Sequence, residues 1–259
     1  MKLRAITATF VLLTTMATVA YAASNFHQVQ PAEFDPGKTF LVQAQWLSGI
    51  GCPTGAKTFD GTTSGTYTDP ACTTGDTSDK QNEGLLLAKT GPTTNDASAI
   101  ARLSDVKGIT LTELGYDIRK PTASTDPRGS HCGAGSPRFN VETSVAFYFV
   151  GCNSPAPTTQ TAGNGWLRLR WSGAGLTGYN TTTNTFTAIT GTVKSIEIVF
   201  DEGQDTGPDN FGMAILDNVD VNGTLVGRQG GGERHDKNDN GKHGRHGPDG
   251  DDEDNGGDD

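Results

Sequence analysis

Residues 200 to 223 read F-D-E-G-Q-D-T-G-P-D-N-F-G-M-A-I-L-D-N-V-D-V-N-G. The stretch parses as the end of one strand, an acidic loop rich in turn residues, and a closing strand. In that strand Ile215, Asp217, Val219 and Val221 share a face under the period-2 rule. An aspartate thus falls in phase with three apolar side chains. Burying its carboxylate is costly unless a cation, an arginine or several backbone N–H groups compensate it, so Asp217 requires a partner.

Working outward, the residues before the loop, V-K-S-I-E-I-V-F (193–200), alternate, with Ile196, Ile198 and Phe200 inward and Glu197 outward. After it, Asn222-Gly223 is a hairpin dipeptide leading to a short T-L-V-G edge. Further strands are expected across 39–47 (Phe40, Val42, Ala44 and Trp46 on one face), 84–89, 98–103, 109–119, 138–143 and 145–151. In W-L-R-L-R-W (166–171), Leu167, Leu169 and Trp171 oppose Trp166, Arg168 and Arg170. Within 109–119 the apolar phase slips, which calls for a bulge near residues 113–115. The run V-A-F-Y-F-V-G (145–151) is apolar on both faces and reads as a central, doubly covered strand. No stretch shows helical periodicity with caps. Eight or nine short strands separated by Gly, Pro, Asn and Asp turns predict an all-β jelly-roll sandwich of two antiparallel sheets.

The chain opens M-K-L-R, continues with an apolar run too short to span a membrane, and reaches A-Y-A at 20–22, the pattern of a secretory signal peptide ending at residue 22. No later stretch has the length of a membrane span. One domain is expected over 23–227. From 230 onward the chain carries no aliphatic or aromatic side chain, and a disordered Gly- and Asp-rich tail is expected over 228–259. The whole chain has 30 acidic and 20 basic side chains, divided 20 to 13 in the domain and 10 to 5 in the tail. Both parts are acidic, which disfavours nucleic acid and anionic membranes as partners. Four cysteines in an exported chain predict two disulfides with three possible pairings. A hairpin of 138–143 with 145–151 favours Cys132 with Cys152, leaving Cys52 with Cys72.

Two sites can be drawn. Asp201, Glu202, Asp205 and Asp209, with Asp217, offer the oxygen ligands that a structural calcium ion takes, in a loop that matches no EF-hand. The alternative is Asp217 held by an arginine or by backbone donors. Trp166, Arg168 and Arg170 form the second site, an exposed indole with two cations suited to a glycan, particularly an acidic one, or else arginines paired across strands with acids such as Glu197, the tryptophan packed under a loop. Catalytic motifs are missing from the sequence. Glu113, Glu142, Glu197 and Glu202 are the acids from which a hydrolase or lyase would draw a pair. A binding module is expected in preference to an enzyme.

The closing motif, with S-P-R-F-N-V-E-T (136–143) and Y-F-V-G-C-N (148–153), resembles bacterial secreted jelly-roll modules. These are similar to carbohydrate-binding and galactose-binding-like domains of exported proteins. The resemblance implies an extracellular, monomeric module for a polysaccharide or cell-surface glycan, with Asp217 as a calcium ligand. Such folds also serve as adhesive or structural proteins, the alternative role expected here.

Overall fold

The computed structural model describes residues 26–52, 57–59, 64–66, 72, 74–91, 96–120, 132, 135–201 and 212–230. The expected leader, residues 231–259 of the expected tail, and Glu202, Asp205 and Asp209 lie outside them.

Two antiparallel seven-stranded sheets form a β-sandwich. The first runs β1 (Gln28–Phe34), β6 (Ser98–Ser104), β14 (Val193–Phe200), β8 (Arg138–Thr143), β9 (Phe147–Val150), β12 (Thr177–Asn180) and β13 (Thr185–Ala188). The second runs β10 (Thr158–Thr161), β11 (Leu167–Ser172), β7 (Glu113–Arg119), β15 (Gly212–Val221), β5 (Gly84–Lys89) and β2 (Val42–Leu47), with β16 (Thr224–Val226) also paired to β15. A small ribbon, β3 (Lys57–Phe59) with β4 (Ser64–Thr66), stands apart. From β5 to β8 the chain crosses between sheets at every connection, because each strand has an apolar face that only the opposite sheet can cover.

The core between the sheets centres on Tyr116, Phe139 and Trp171, whose ring centroids lie 5.2–5.9 Å apart. The two polar tips are satisfied: Tyr116 Oη donates to the Pro137 carbonyl at 2.7 Å and Trp171 Nε1 to that of Pro155 at 2.8 Å. On one side the sandwich is closed by side chains across the edge strands. Trp46 Nε1 on β2 donates to the Val29 carbonyl on β1 at 3.0 Å, and Glu33 Oε1 accepts from the Ala44 N–H. Disulfides Cys52–Cys72 and Cys132–Cys152 are both formed.

Several sequence expectations change. No bulge interrupts β7; the phase slip lies before it, where Thr110 forms an isolated bridge to Thr192, just ahead of β14. The bulge is instead on β15, where Asp217 opposes Asp117 and Asp220 opposes Gly115. Three steps on one strand match two on its partner, and Asn218 takes φ +46° to absorb the extra residue. The bulge reverses the phase. Ala214, Leu216, Val219 and Val221 face the core, and Asp217 shares the outer face with Ile215 alone of the expected apolar set. Phe40 does not face inward: it precedes β2, is 86 % exposed and holds φ +58°, with its N–H bonded to Asp35 Oδ2 at 2.7 Å. The fold also runs three residues past 227, since the Gln229 N–H donates to Glu83 Oε2 at 2.7 Å.

Replacing Trp46 with phenylalanine keeps the ring and removes the bond to Val29. Loss of one buried hydrogen bond costs about 1–2 kcal/mol, so the melting midpoint should fall by roughly 3–6 °C. Calorimetry of the variant beside the wild type measures this; an unchanged midpoint would show that the edge bridge contributes nothing.

Candidate functional site

The outer faces of the two sheets differ in kind. That of the second sheet is covered by the segment around the Cys52–Cys72 disulfide, and a second small core forms there from Cys52, Cys72, Leu86, Ala88, Trp166 and Ile215. Trp166 is 1 % exposed, with the Arg119 guanidinium 5.5 Å from its ring centroid. The exposed indole expected for a glycan is therefore absent, because Trp166 packs in this second core with Cys52 and Cys72.

Beside this core, cross-strand rows place Arg168, Asp117 and Asp217 in one line and Arg170, Gly115 and Asp220 in the next. Arg168 grips Asp117 with two bonds, Nε to Oδ1 and Nη2 to Oδ2, each 2.8 Å. Its remaining donors reach the hydroxyl and carbonyl of Thr74 in the covering segment. Arg170 Nε lies 2.9 Å from Asp220 Oδ2, and its Nη1 lies 3.5 Å from Asp117. The arginine crosses Gly115 to do so: a Cβ there would sit 2.3 Å from Arg170 Cδ, so only glycine fits. The expected pairing of these arginines with Glu197 does not occur, since Glu197 is on the other sheet and bonds Arg102 at 3.1 Å.

Asp217 is held by backbone. Its Oδ2 accepts the Cys52 N–H at 2.6 Å and its Oδ1 the Asn218 N–H at 2.5 Å. Burial and the neighbouring Asp117 charge nevertheless push its carboxyl well above the usual range, these two donors opposing the shift. Asp220 is raised to about 6, chiefly by burial, with Arg170 opposing and Glu113 adding to the shift. Asn218 ties the cluster to the covering segment, its amide nitrogen donating to Asp117 at 2.9 Å and its oxygen accepting from the Asp76 N–H at 2.8 Å.

Of the acids expected to hold calcium with Asp217, Asp201 alone is described, and its carboxylate is engaged elsewhere. Asp201 bonds Ser136 Oγ and Arg138 Nη1, each at 2.7 Å, and its carbonyl accepts from Lys89 Nζ. Lys89 pairs with Gly212, five residues and about 17 Å of strand from Asp217. Among the described residues the one metal-type grouping brings Asp117 to Cys52 and Cys72, whose sulfurs are joined to each other and offer no thiolate. The Cys72 Sγ to Asp117 Oδ2 approach of 3.0 Å is a contact, since a disulfide sulfur carries no proton to donate.

The first sheet's outer face is open. One row runs across all seven strands: Phe186, Tyr179, Phe149, Asn140, Glu197, Arg102 and Gln30 stand opposite one another in register. At its near end are three aromatic rings on successive strands, spanning about 10 Å. Phe186 is 51 % exposed, and Phe149, Tyr179 and the adjacent Phe147 are half-buried. Phe147 meets Phe149 edge-on at 5.3 Å and Tyr179 meets Phe186 edge-on at 5.7 Å. Arg138 lies over Phe149 with its carbon 5.5 Å from the ring centroid. The amide oxygen of Asn140 is shielded from solvent and lacks a hydrogen-bond partner among the described residues. Strand β9, expected to be covered on both faces, is covered on one only. Of the acids considered for catalysis, Glu142 and Glu197 lie on this face, each paired with a cation, Glu113 lies on the other sheet, and Glu202 is outside the described residues.

The molecule is thus a β-sandwich with one sealed polar face and one open aromatic face. No protein-family model, curated protein or solved structure matches the chain.

Two sets of thermal melts test the sealed cluster. Asp220 binds its proton more tightly folded than unfolded, so between about pH 4 and pH 6 the folded state holds more protons and stability falls as pH rises. The midpoint should climb by a few degrees from pH 7.5 to pH 5, and Asp220→Asn should reduce that slope; an equal slope in the variant contradicts the assignment. Asp217→Asn loses one of two acceptors and should destabilise by about 1–2 kcal/mol. The loss should be the same in calcium and in chelator, whereas a larger loss in calcium would restore a calcium ion at Asp217.

Proposed function

We propose that the chain is an exported glycan-binding module that uses the open face of its first sheet. The observation that carries this reading is the in-register line Phe149, Tyr179 and Phe186 on a solvent-facing sheet surface. A soluble domain has no packing reason to leave three neighbouring rings on an outer face, and aromatic rings are the side chains against which the apolar faces of sugar rings stack. Two disulfides accord with export into an oxidising compartment, and no described helix is long and apolar enough to cross a membrane. Trp166 and Arg168 serve the reading indirectly, by fixing the covering segment to the second sheet, while Arg170 pairs with Asp220 and Asp117 within that sheet.

Phe186→Ala and Tyr179→Leu remove stacking surface at half-exposed positions. On a glycan array each should weaken binding about tenfold, equivalent to about 1.4 kcal/mol, with an unchanged near-ultraviolet spectrum of the core tryptophans. Glycan binding that both variants retain in full would move the site elsewhere, and a wild-type protein that binds no glycan would leave the structural or adhesive role.

A further inference from the structure

Resting on the glycan reading, we infer that this face takes a neutral glycan chain laid across the strands, and not an acidic one. The inference comes from where charge sits on the sheet. Strands β9, β12 and β13 and the loop between the last two carry no charged side chain; residues 176–192 hold eight threonines, two asparagines, and Tyr179 and Phe186. On the outer face the rings are bordered by Thr177, which shares β12 with Tyr179, by Thr181 just after the strand, and by Asn184, whose Oδ1 accepts from Tyr179 Oη at 3.4 Å. Hydroxyl and amide groups exchange hydrogen bonds with sugar hydroxyls in either direction.

Charged groups occur on the far half of the face and at its border, where Arg138 lies over Phe149, but among the described residues each cation there faces an acid. Arg102 bonds Glu197 at 3.1 Å, Lys194 bonds Glu142 at 3.0 Å, and Arg138 bonds Asp201 at 2.7 Å. A carboxylate or sulfate on the ligand would therefore meet no unmatched cation beside the rings, in a chain whose formal net charge is -10. The line of rings runs perpendicular to the strands, so a chain that stacks on more than one ring crosses β9, β12 and β13 in turn. Asn140 stands next in the row after Phe149, an uncharged amide at the border of the ionic half.

Affinity electrophoresis of the full mature protein tests this, in gels containing galactomannan or hydroxyethyl cellulose as neutral probes and polygalacturonate or alginate as acidic ones. Retardation should appear in a neutral gel, persist in 0.5 M NaCl at about the same strength because uncharged contacts are not screened, and fall at least about fivefold in Phe186→Ala and Tyr179→Leu. Salt-sensitive retardation by an acidic polymer that the same variants abolish would overturn the inference and leave the glycan site standing. Retardation by no polymer would overturn the glycan reading and the inference with it. Sedimentation of the wild type completes the test: a dimer dispersed by Phe186→Ala would assign the rings to a second copy of the chain and overturn both.

Discussion

The grip of Arg168 on Asp117 is the interaction on which one whole side of the molecule depends. Asp117 is fully buried in the middle strand of its neighbourhood, with β11 on one side and β15 on the other. Left alone there its charge would be prohibitive, and a buried pair that loses one partner costs about 3–5 kcal/mol. Two arginines and the Asn218 amide surround it, and the same Arg168 reaches beyond the sheet to Thr74. The ion pair is therefore also a tether. It fixes the covering segment, which hides Trp166 and the disulfide, which in turn presents the Cys52 N–H to Asp217.

This chain of dependence explains why acids so rich in chemistry are poor candidates for catalysis. Each oxygen of Asp217 accepts a backbone N–H, Asp117 is held by Arg168 and Asn218, and Asp220 accepts the Gly223 N–H while facing Arg170. A raised carboxyl is a common mark of an acid-base catalyst, but here burial under a fixed segment produces it, and the same burial denies a substrate access. The perturbed groups belong to the architecture.

How far the sequence reached follows from the range over which each signal acts. The alternation of 138–143 and 193–200 and the Asn222-Gly223 turn are local, and they are found as read, the turn with φ +54° and +83°. The hairpin of 138–143 with 145–151 brought Cys132 to Cys152 by connectivity alone. Asp217's need for a partner was legible too, and backbone donors were among the expected answers. What failed was anything set by a distant segment. The alternation of 215–221 conceals the Asn218 bulge, because the residues on both sides of it are apolar or acidic in either phase. Trp166 and Phe149 read alike, as aromatics on strands with apolar neighbours; which is sealed and which is open depends on a segment more than eighty residues before Trp166. Gly115 was the available clue to the buried cluster, since a lone glycine inside a strand marks a close approach, and here the approaching group is Arg170.

The two outer faces are best understood together. A sandwich of this size needs only the faces between its sheets to make a core, so the outer faces are free to differ. On the second sheet Gly115, Asp117, Asp217 and Asp220 require cover, and the disulfide-closed segment gives it. On the first sheet the outward charges lie at the water boundary in pairs that need no cover, and the uncharged strands β9, β12 and β13 carry the rings. Edge-on contacts between Phe147 and Phe149 and between Tyr179 and Phe186 hold those rings in fixed orientations without burying them. Rings fixed in this way lose little side-chain freedom when a ligand arrives, which is the condition under which modest contact area yields useful affinity. Under the proposed function, recognition falls to the face that the covering segment leaves open.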